Sequence, residues 1–515
     1  MRTITNTALI VKGHLLTQTR SYTFFLIIGL TLFLSYLFIP SADRHYEVFY
    51  IGGVRGVYNS AWLGGMLVMI SNLLLWLFGF YFLRGTISKD EQLRVAPFIA
   101  TSPITKSVYI STKVMSNFIV LVIISTSLLL SFMFMQIIRA EDTQIIWKDY
   151  LMPYIFITIP SLFLLASLTI VFDVIRWLKG TIGNIIFFCL WTAISVLSIS
   201  LSNVLFDLFG LNTILTNMVN DAAQVYPFLN DSDSGGSFGY YPVANVLTFT
   251  WEGVVWTKEM LISSFLWALI AIYNILLATL CFNRFQKQIH PLASPKKHEA
   301  SNFMRQQVAV PLLSPVQYEQ SVHFARLIIA EWKVLLRGYS KWLYIILIIS
   351  LVVSYVLPMK ILVSWAPLFI LFPLAIWSRM GTVDTTSRTE QLILSTPYAS
   401  IKFFITWLSG LFITFIYSFG IVLRLSLAGD IRTGIAYVVG ILFIVTLAIT
   451  LGYFAKSSWA FESIYLLLWY IGPVNQIPYL DFTGLSMNHS LQYFILSLCL
   501  MSSVVILQRK GWDKR

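Results

Sequence analysis

Apolar runs of roughly twenty residues, separated by charged or Pro/Gly/Asn-rich breaks, recur along the whole chain. They fall at about residues 22–40, 60–83, 108–137, 151–172, 184–204 and 259–282, and again at about 342–358, 361–378, 402–425, 434–454, 461–480 and 490–507. About 20 apolar residues in a helix cross about 30 Å of hydrocarbon. Each run is therefore predicted to be a membrane-spanning helix, and the chain an all-α integral membrane protein with about twelve spans. The polar or amphipathic stretch before the first run and the lack of a small-residue cleavage pattern after it argue against a signal peptide.

Composition narrows the class. Only 11% of the 515 residues are charged and 57% are apolar, against roughly 25% charged in soluble domains. A soluble enzyme, a disordered chain and a collagen-like fibre are excluded. The net charge of +12 carries no basic stripe interleaved with stacking aromatics, so no nucleic-acid partner is expected. With the N-terminus placed in the cytoplasm, 27 of the 35 Lys and Arg residues fall on cytoplasmic segments and eight on the other side. This bias sets both termini inside, and the membrane expected is the bacterial cytoplasmic one. The three cysteines, Cys189, Cys281 and Cys499, lie within or beside apolar runs and imply no disulfide framework.

The longest outer loop, Phe206 to Lys258, is expected to form a small cap. Asp231 and Asp233 there lack the spacing and terminal Glu of a calcium loop. Asn230-Asp231-Ser232 and Asn488-His489-Ser490 match the glycosylation acceptor but have no meaning in a bacterium.

The two halves of the chain match in order. Asp90, Arg94 and Thr101-Ser102-Pro103 recur as Asp384, Arg388 and Ser395-Thr396-Pro397, all at an offset of 294. Upstream, Arg20-x-Tyr22, Ser35-Tyr36 and Pro40 recur as Arg337-x-Tyr339, Ser354-Tyr355 and Pro358 at offsets of 317 to 319. The expected organisation is a six-span unit over 1–284, a cytoplasmic linker over 285–320 and a second six-span unit over 321–515. Each half opens with an amphipathic segment expected to lie in the headgroup plane as an elbow. In the first, Ile4, Ala8, Val11 and Leu15 make the apolar stripe, with the cations Lys12 and Arg20 in the segment. In the second, Phe324, Ile328, Trp332 and Leu335 make the stripe and Arg326, Lys333 and Arg337 a basic line.

Asp and Arg four residues apart can bridge on one helix face, worth only about 0.3 to 0.5 kcal/mol when exposed, so stability is a weak reason for having the pair twice. Two hydroxyl residues and Pro then end that helix sharply, and a Ser or Thr caps the next one. The result is a short polar helix held rigidly against the third span of each half, suited to pass a push from a soluble partner into the membrane.

With these loops and elbows the chain resembles the permease subunits of type-2 ABC transporters, as two fused copies of a six-span subunit with an elbow helix and a coupling helix between its second and third spans. The resemblance rests on Asp90 to Lys106 and Asp384 to Ser400 together with the two elbows. It implies an exporter of an amphipathic or hydrophobic substrate, not itself an enzyme, driven by a separate ATP-binding cassette subunit in two copies. Asp90, Arg94, Ser102, Pro103, Lys106, Asp384, Arg388, Thr396 and Pro397 would then lie at or near the ATPase contact, with the elbows beside them. Ser400 stands where Lys106 would recur, and Trp407 where Lys113 would, so the two contacts need not be equivalent. No Gly-x4-Gly-Lys-Ser/Thr phosphate loop is present; ATP and Mg belong to the partner, and no cofactor is expected in this chain.

His14, His45, His290, His298, His323 and His489 have no metal-ligand spacing with a Cys or carboxylate. Asp173, Arg176, Arg424 and Glu462 lie near or inside predicted spans, most close enough to an end to snorkel, and Glu462 and Arg424 read as interfacial. The rival is an ion-coupled secondary transporter of the major facilitator type, which Gly85, Asp90, Gly381 and Asp384 echo. It lacks here the dense basic run after the Asp and leaves the elbows unexplained. A membrane-embedded transferase would need more catalytic residues than the loop Phe206 to Lys258 holds.

Overall fold

The computed structural model describes residues 2–41, 46–92, 95–200, 203–229, 236–242, 247–282, 324–337, 339, 341–387, 389–396, 399–428, 431–474, 480–485 and 490–512. The linker expected at 285–320, the Asp231/Asp233 loop and the two glycosylation triplets lie wholly or partly outside them. The chain divides into two compact units, Met1–Ile289 and His290–Arg515.

The first unit contains α1 (Arg2–Thr19), α2 (Tyr22–Phe38), β1 (Tyr46–Ile51), β2 (Val54–Gly56), α3 (Ser60–Leu83), α4 (Thr86–Gln92), α5 (Ala96–Thr101) and α6 (Lys106–Arg139). It continues with α7 (Trp147–Pro153), α8 (Ile159–Val174), α9 (Thr181–Ser200), α10 (Leu211–Val225), β3 (Gly236–Pro242), β4 (Leu247–Phe249) and α11 (Lys258–Cys281). A π-helical turn, Tyr154–Thr158, joins α7 to α8. The second unit contains α12 (Phe324–Leu336), α13 (Lys341–Val356), α14 (Met359–Phe369), α15 (Leu374–Trp377), α16 (Val383–Thr386) and α17 (Glu390–Leu394). After them come α18 (Ala399–Leu427), α19 (Ile431–Ala455), α20 (Ser458–Trp469) and α21 (Ser490–Trp512).

Among the described residues eight helical segments are long and apolar enough to cross a bilayer: Ser60–Glu91, Lys106–Arg139, Trp147–Val174, Thr181–Ser200, Lys258–Cys281, Met359–Trp377, Ile401–Leu427 and Ile431–Ala455. Three apolar stretches are shorter, Ile27–Phe38, Tyr344–Val356 and Ser490–Ile506. This is the helical make-up of an integral membrane protein. Large apolar side chains remain exposed along these helices, among them Phe134, Phe265 and Ile348, as lipid-facing surface requires.

The first unit adds a small sheet to this predominantly helical architecture. Four strands form a sheet in the order β3-β1-β2-β4, with β1 antiparallel to both β2 and β3 and β2 parallel to β4. Tyr46–Ile51 alternates half-buried and buried side chains, the period of a strand with one covered face. Gly52 and Gly53 both take positive φ, 52° and 90°, the conformation a tight two-residue hairpin requires. The loop Phe206 to Lys258 supplies the rest of this cap: α10 turns Leu211, Ile214, Met218 and Ala222 inward at helical spacing, and the rings of Phe49, Trp62, Phe238, Phe249 and Trp251 pack at 4.5 to 6.4 Å.

Arg55 ties the cap to Glu141, just beyond the end of α6. Arg55, 2% exposed, donates from Nε to Glu47 at 2.9 Å and by a bidentate fork to Glu141 at 2.8 and 2.9 Å. Tyr58 closes the knot, its hydroxyl donating to Glu47 and its N–H to Glu141, each at 3.0 Å.

The helix at the expected elbow of the first unit, α1, packs on α6. His14 and Gln18, one turn apart on α1, meet Lys113 and Asn117, one turn apart on α6, at 3.2 and 3.0 Å. Further along, Ser35 meets Ser131, and Arg139 donates to the Ile39 carbonyl at 2.7 Å. The separation between partners stays at 96 to 100 residues throughout. Hence the His14–Gln18 turn of α1 and then α2 follow α6 side by side in the same direction. The face it turns to α6 carries the polar His14 and Gln18.

Candidate functional site

In the first unit α3 ends at Arg84, and Gly85 turns the chain with φ +82°. The carboxylate of Asp173, at the end of α8 and 3% exposed, receives Gly85 N–H at 2.8 Å and Ile87 N–H and the Thr86 hydroxyl at 3.4 Å. It holds the free N–H groups at the start of α4, the usual role of an acid at a helix N-terminus. Glu462 is likewise buried, at 1% exposure.

Asp90, on α4, is 7% exposed. It accepts from the Tyr109 hydroxyl at 2.6 Å and pairs with Lys113 Nζ at 2.8 Å. The same ammonium reaches His14 Nδ1 at 3.2 Å and the Thr86 carbonyl at 3.5 Å. A lysine only donates, so Nδ1 accepts and His14 is the neutral imidazole. Burial, followed by the Lys113 charge, lowers the His14 pKa from 6.5 to about 4. One lysine thus joins three separate pieces: α1, the loop and α6. From Gln18 the tie extends through Asn117 to Thr169 on α8 at 3.1 Å.

The linkage sets a pH dependence. Between pH 6.5 and about 4 the unfolded chain protonates this histidine while the folded chain does not, so stability falls as pH drops through that window. Thermal melts in detergent across that range should fall more steeply for the wild type than for His14→Gln; parallel curves would deny the histidine this role.

The second unit builds the same junction from different residues. Lys402 Nζ lies 3.3 Å from Asp384 on α16 and 3.3 Å from Glu331 on α12, and the Thr406 hydroxyl donates to Glu331 at 2.8 Å. Trp407 occupies the position of Lys113, and Lys402 that of Val108. The junctions differ in wetness: side-chain exposure is 3% for Lys113 but 27% for Lys402 and 34% for Asp384.

Several hydrogen bonds of the loops recur at the offset of 294. Val95 N–H donates to the Asp90 carbonyl at 3.0 Å, and Thr389 N–H to that of Asp384 at 2.9 Å. The Ser102 hydroxyl donates to the Ile99 carbonyl at 2.8 Å, and Thr396 to that of Ile393 at 2.7 Å. Each loop is two short helices, α4 and α5 or α16 and α17, where one was expected. Thr105 then caps α6, accepting from Val108 N–H at 3.3 Å.

Of the residues singled out in the sequence, Asp90 and Asp384 are brought to these junctions. Asp90 is buried as a tether, paired with Lys113 and Tyr109. Ser102 and Thr396 hold the turns, Pro103 is exposed and Lys106 opens α6 half-buried. Arg94, Arg388 and Pro397 lie outside the described residues, and the Asp/Arg bridge with them. Lys12, Arg20, Arg326, Lys333 and Arg337 are exposed on or just after α1 and α12. His14, Tyr109, Glu331, Lys402 and Thr406 went unrecognised. A lysine inside an otherwise apolar run, at 113 and at 402, was the available signal. Among the described residues no three His, Cys, Asp or Glu side chains gather as a metal site. No family model, curated protein or solved structure matches the chain.

Proposed function

We propose that the chain is the membrane permease of an ATP-driven exporter, moving an amphipathic or hydrophobic substrate, with hydrolysis carried out by a separate ATP-binding cassette subunit in two copies. The observation that carries this reading is the pair of matched loops, each tied by an aspartate and a lysine to the start of a long apolar helix and to the helix that opens its unit. A loop anchored in this way cannot absorb a push by bending locally, so displacement passes to α6 or α18. Both loops belong to the segments that the basic-residue bias assigns to the cytoplasm. ATP and Mg would be held by the partner, and a substrate is moved only if the two conformations bind it differently.

A second reading, ion-coupled transport, is favoured by one observation: the carboxylate of Glu462 on α20 is buried within an apolar segment. Affinity purification from the native membrane separates the two. The exporter reading expects a soluble chain to come down with this one and the pair to hydrolyse ATP. Purification alone, with proton-driven uptake in liposomes, would replace it with the second.

A further inference from the structure

The apolar segment Met359–Trp377 is interrupted: α14 stops at Phe369 and α15 starts at Leu374. Two prolines flank the gap, Pro367 and Pro373. Pro373 has no N–H to return to the Phe369 carbonyl four residues back. The N–H of Leu374 turns instead to the Leu371 carbonyl and that of Leu371 to the Leu368 carbonyl, each at 3.1 Å. The carbonyls of Ile370 and Pro367 thereby lose their helical partners as well. Three backbone acceptors are set free inside an apolar segment, where each needs a donor.

Each finds one at the tip of an aromatic ring. The Phe369 carbonyl accepts from the Tyr417 hydroxyl on α18 at 3.0 Å. That of Ile370 accepts from the Tyr465 hydroxyl at 2.6 Å and that of Pro367 from the Trp469 indole at 2.6 Å, both donors on α20. The first unit repeats the indole alone. The carbonyl of Leu73, 294 residues before Pro367, accepts from the Trp191 indole at 3.1 Å. Gly79 stands 294 residues before Pro373, and α3 runs unbroken from Ser60 to Leu83. Ile123 stands 294 residues before Tyr417, and Phe187 precedes Trp191 by four residues as Tyr465 precedes Trp469. Hydroxyls are thus present where prolines freed carbonyls and absent where the helix is whole. Beyond the break a different set of bonds holds α15: the Ala375 carbonyl accepts from the Tyr339 hydroxyl at 2.6 Å, and the Trp377 indole donates to Thr414 at 2.7 Å.

We propose that residues 370–373 are a latched hinge, at which the segment Met359–Trp377 bends while α3 of the first unit moves as a rod. Proline breaks are the usual sites of sharp bending in a helix, and Tyr417, Tyr465 and Trp469 are the latch, because their three bonds replace the missing rungs. The inference goes beyond the proposed function and is independent of what powers the chain.

The test is hydrogen exchange read by mass spectrometry on the full chain in lipid nanodiscs, which reports local opening segment by segment. Amides of 370–378 are expected to exchange at least tenfold faster than those of 76–84, their counterparts in α3. In Tyr465→Phe/Trp469→Phe they should exchange about tenfold faster again, with α19 unchanged. Pro373→Ala, which restores an N–H toward the Phe369 carbonyl, should slow them to the rate of α3. Equal protection of the two segments in the wild type overturns the inference, as does unchanged exchange at 370–378 in either variant. A rise that spreads through α19 also overturns it, since the side chains would then only stabilise the unit. Absence of an ATPase partner would remove the exporter reading and leave the hinge untouched.

Discussion

Replacing Lys113 by methionine is expected to lower the thermal midpoint of the first unit by on the order of 10 °C and to abolish any work done through its loop. The substitution keeps the length and packing of the side chain but leaves Asp90 7% exposed with no opposite charge, only the Tyr109 hydroxyl remaining. Removing one partner of a buried pair costs about 3 to 5 kcal/mol, and 1 kcal/mol moves the midpoint of a unit this size by roughly 2 to 4 °C. The double variant Lys113→Met/Asp90→Asn should recover most of the loss, because a neutral amide can stay buried against Tyr109. Lys402→Met should cost less, about 1 kcal/mol, because solvent already reaches Asp384 and screens it. Scanning fluorimetry on the three purified variants decides the matter; equal midpoints for Lys113→Met and the wild type would remove the tether from the account.

Arg55→Leu is expected to loosen the cap from the segment that follows α6. The guanidinium neutralises two carboxylates at once, Glu47 and Glu141. Its loss leaves Glu47 3% exposed, held only by the Tyr58 hydroxyl. The cost is again about 3 to 5 kcal/mol, concentrated on the sheet, which the hairpin alone cannot sustain. Hydrogen exchange should show Tyr46–Ile51 and Gly236–Pro242 losing protection while α6 keeps its own. Arg55→Lys should rescue only in part, since an ammonium cannot make the bidentate fork to Glu141. Unchanged protection in Arg55→Leu would mean that the aromatic cluster around Trp62 holds the cap without the ion pairs.

The two junctions show where sequence reading stops. The repeat points to Asp90 and Asp384 because the spacing of Asp, hydroxyls and Pro is a local property of the chain. Their partners were invisible to the repeat, since the cation lies at Lys113 in one unit and Lys402 in the other, and the helix that opens each unit contributes a neutral imidazole in one and a carboxylate in the other. What is shared is a place in space where a cation must stand. The cap is the opposite case. A strand-like alternation followed by Gly52-Gly53 was present in the sequence, but a search for spans treats residues 41–59 as an outer loop and nothing more.

By itself the sequence determined the membrane character, the positions of the apolar runs and the existence of two matching loops, because hydrophobicity, spacing and turn chemistry are written along the chain. Only the tertiary structure decided that α1 lies beside α6, that β1 pairs with a strand almost two hundred residues later, and which lysine answers each aspartate. The reason is physical: burying a charge is tolerable only with a counter-charge within a few ångströms, and that distance is set by how helices pack, which one-dimensional spacing does not record.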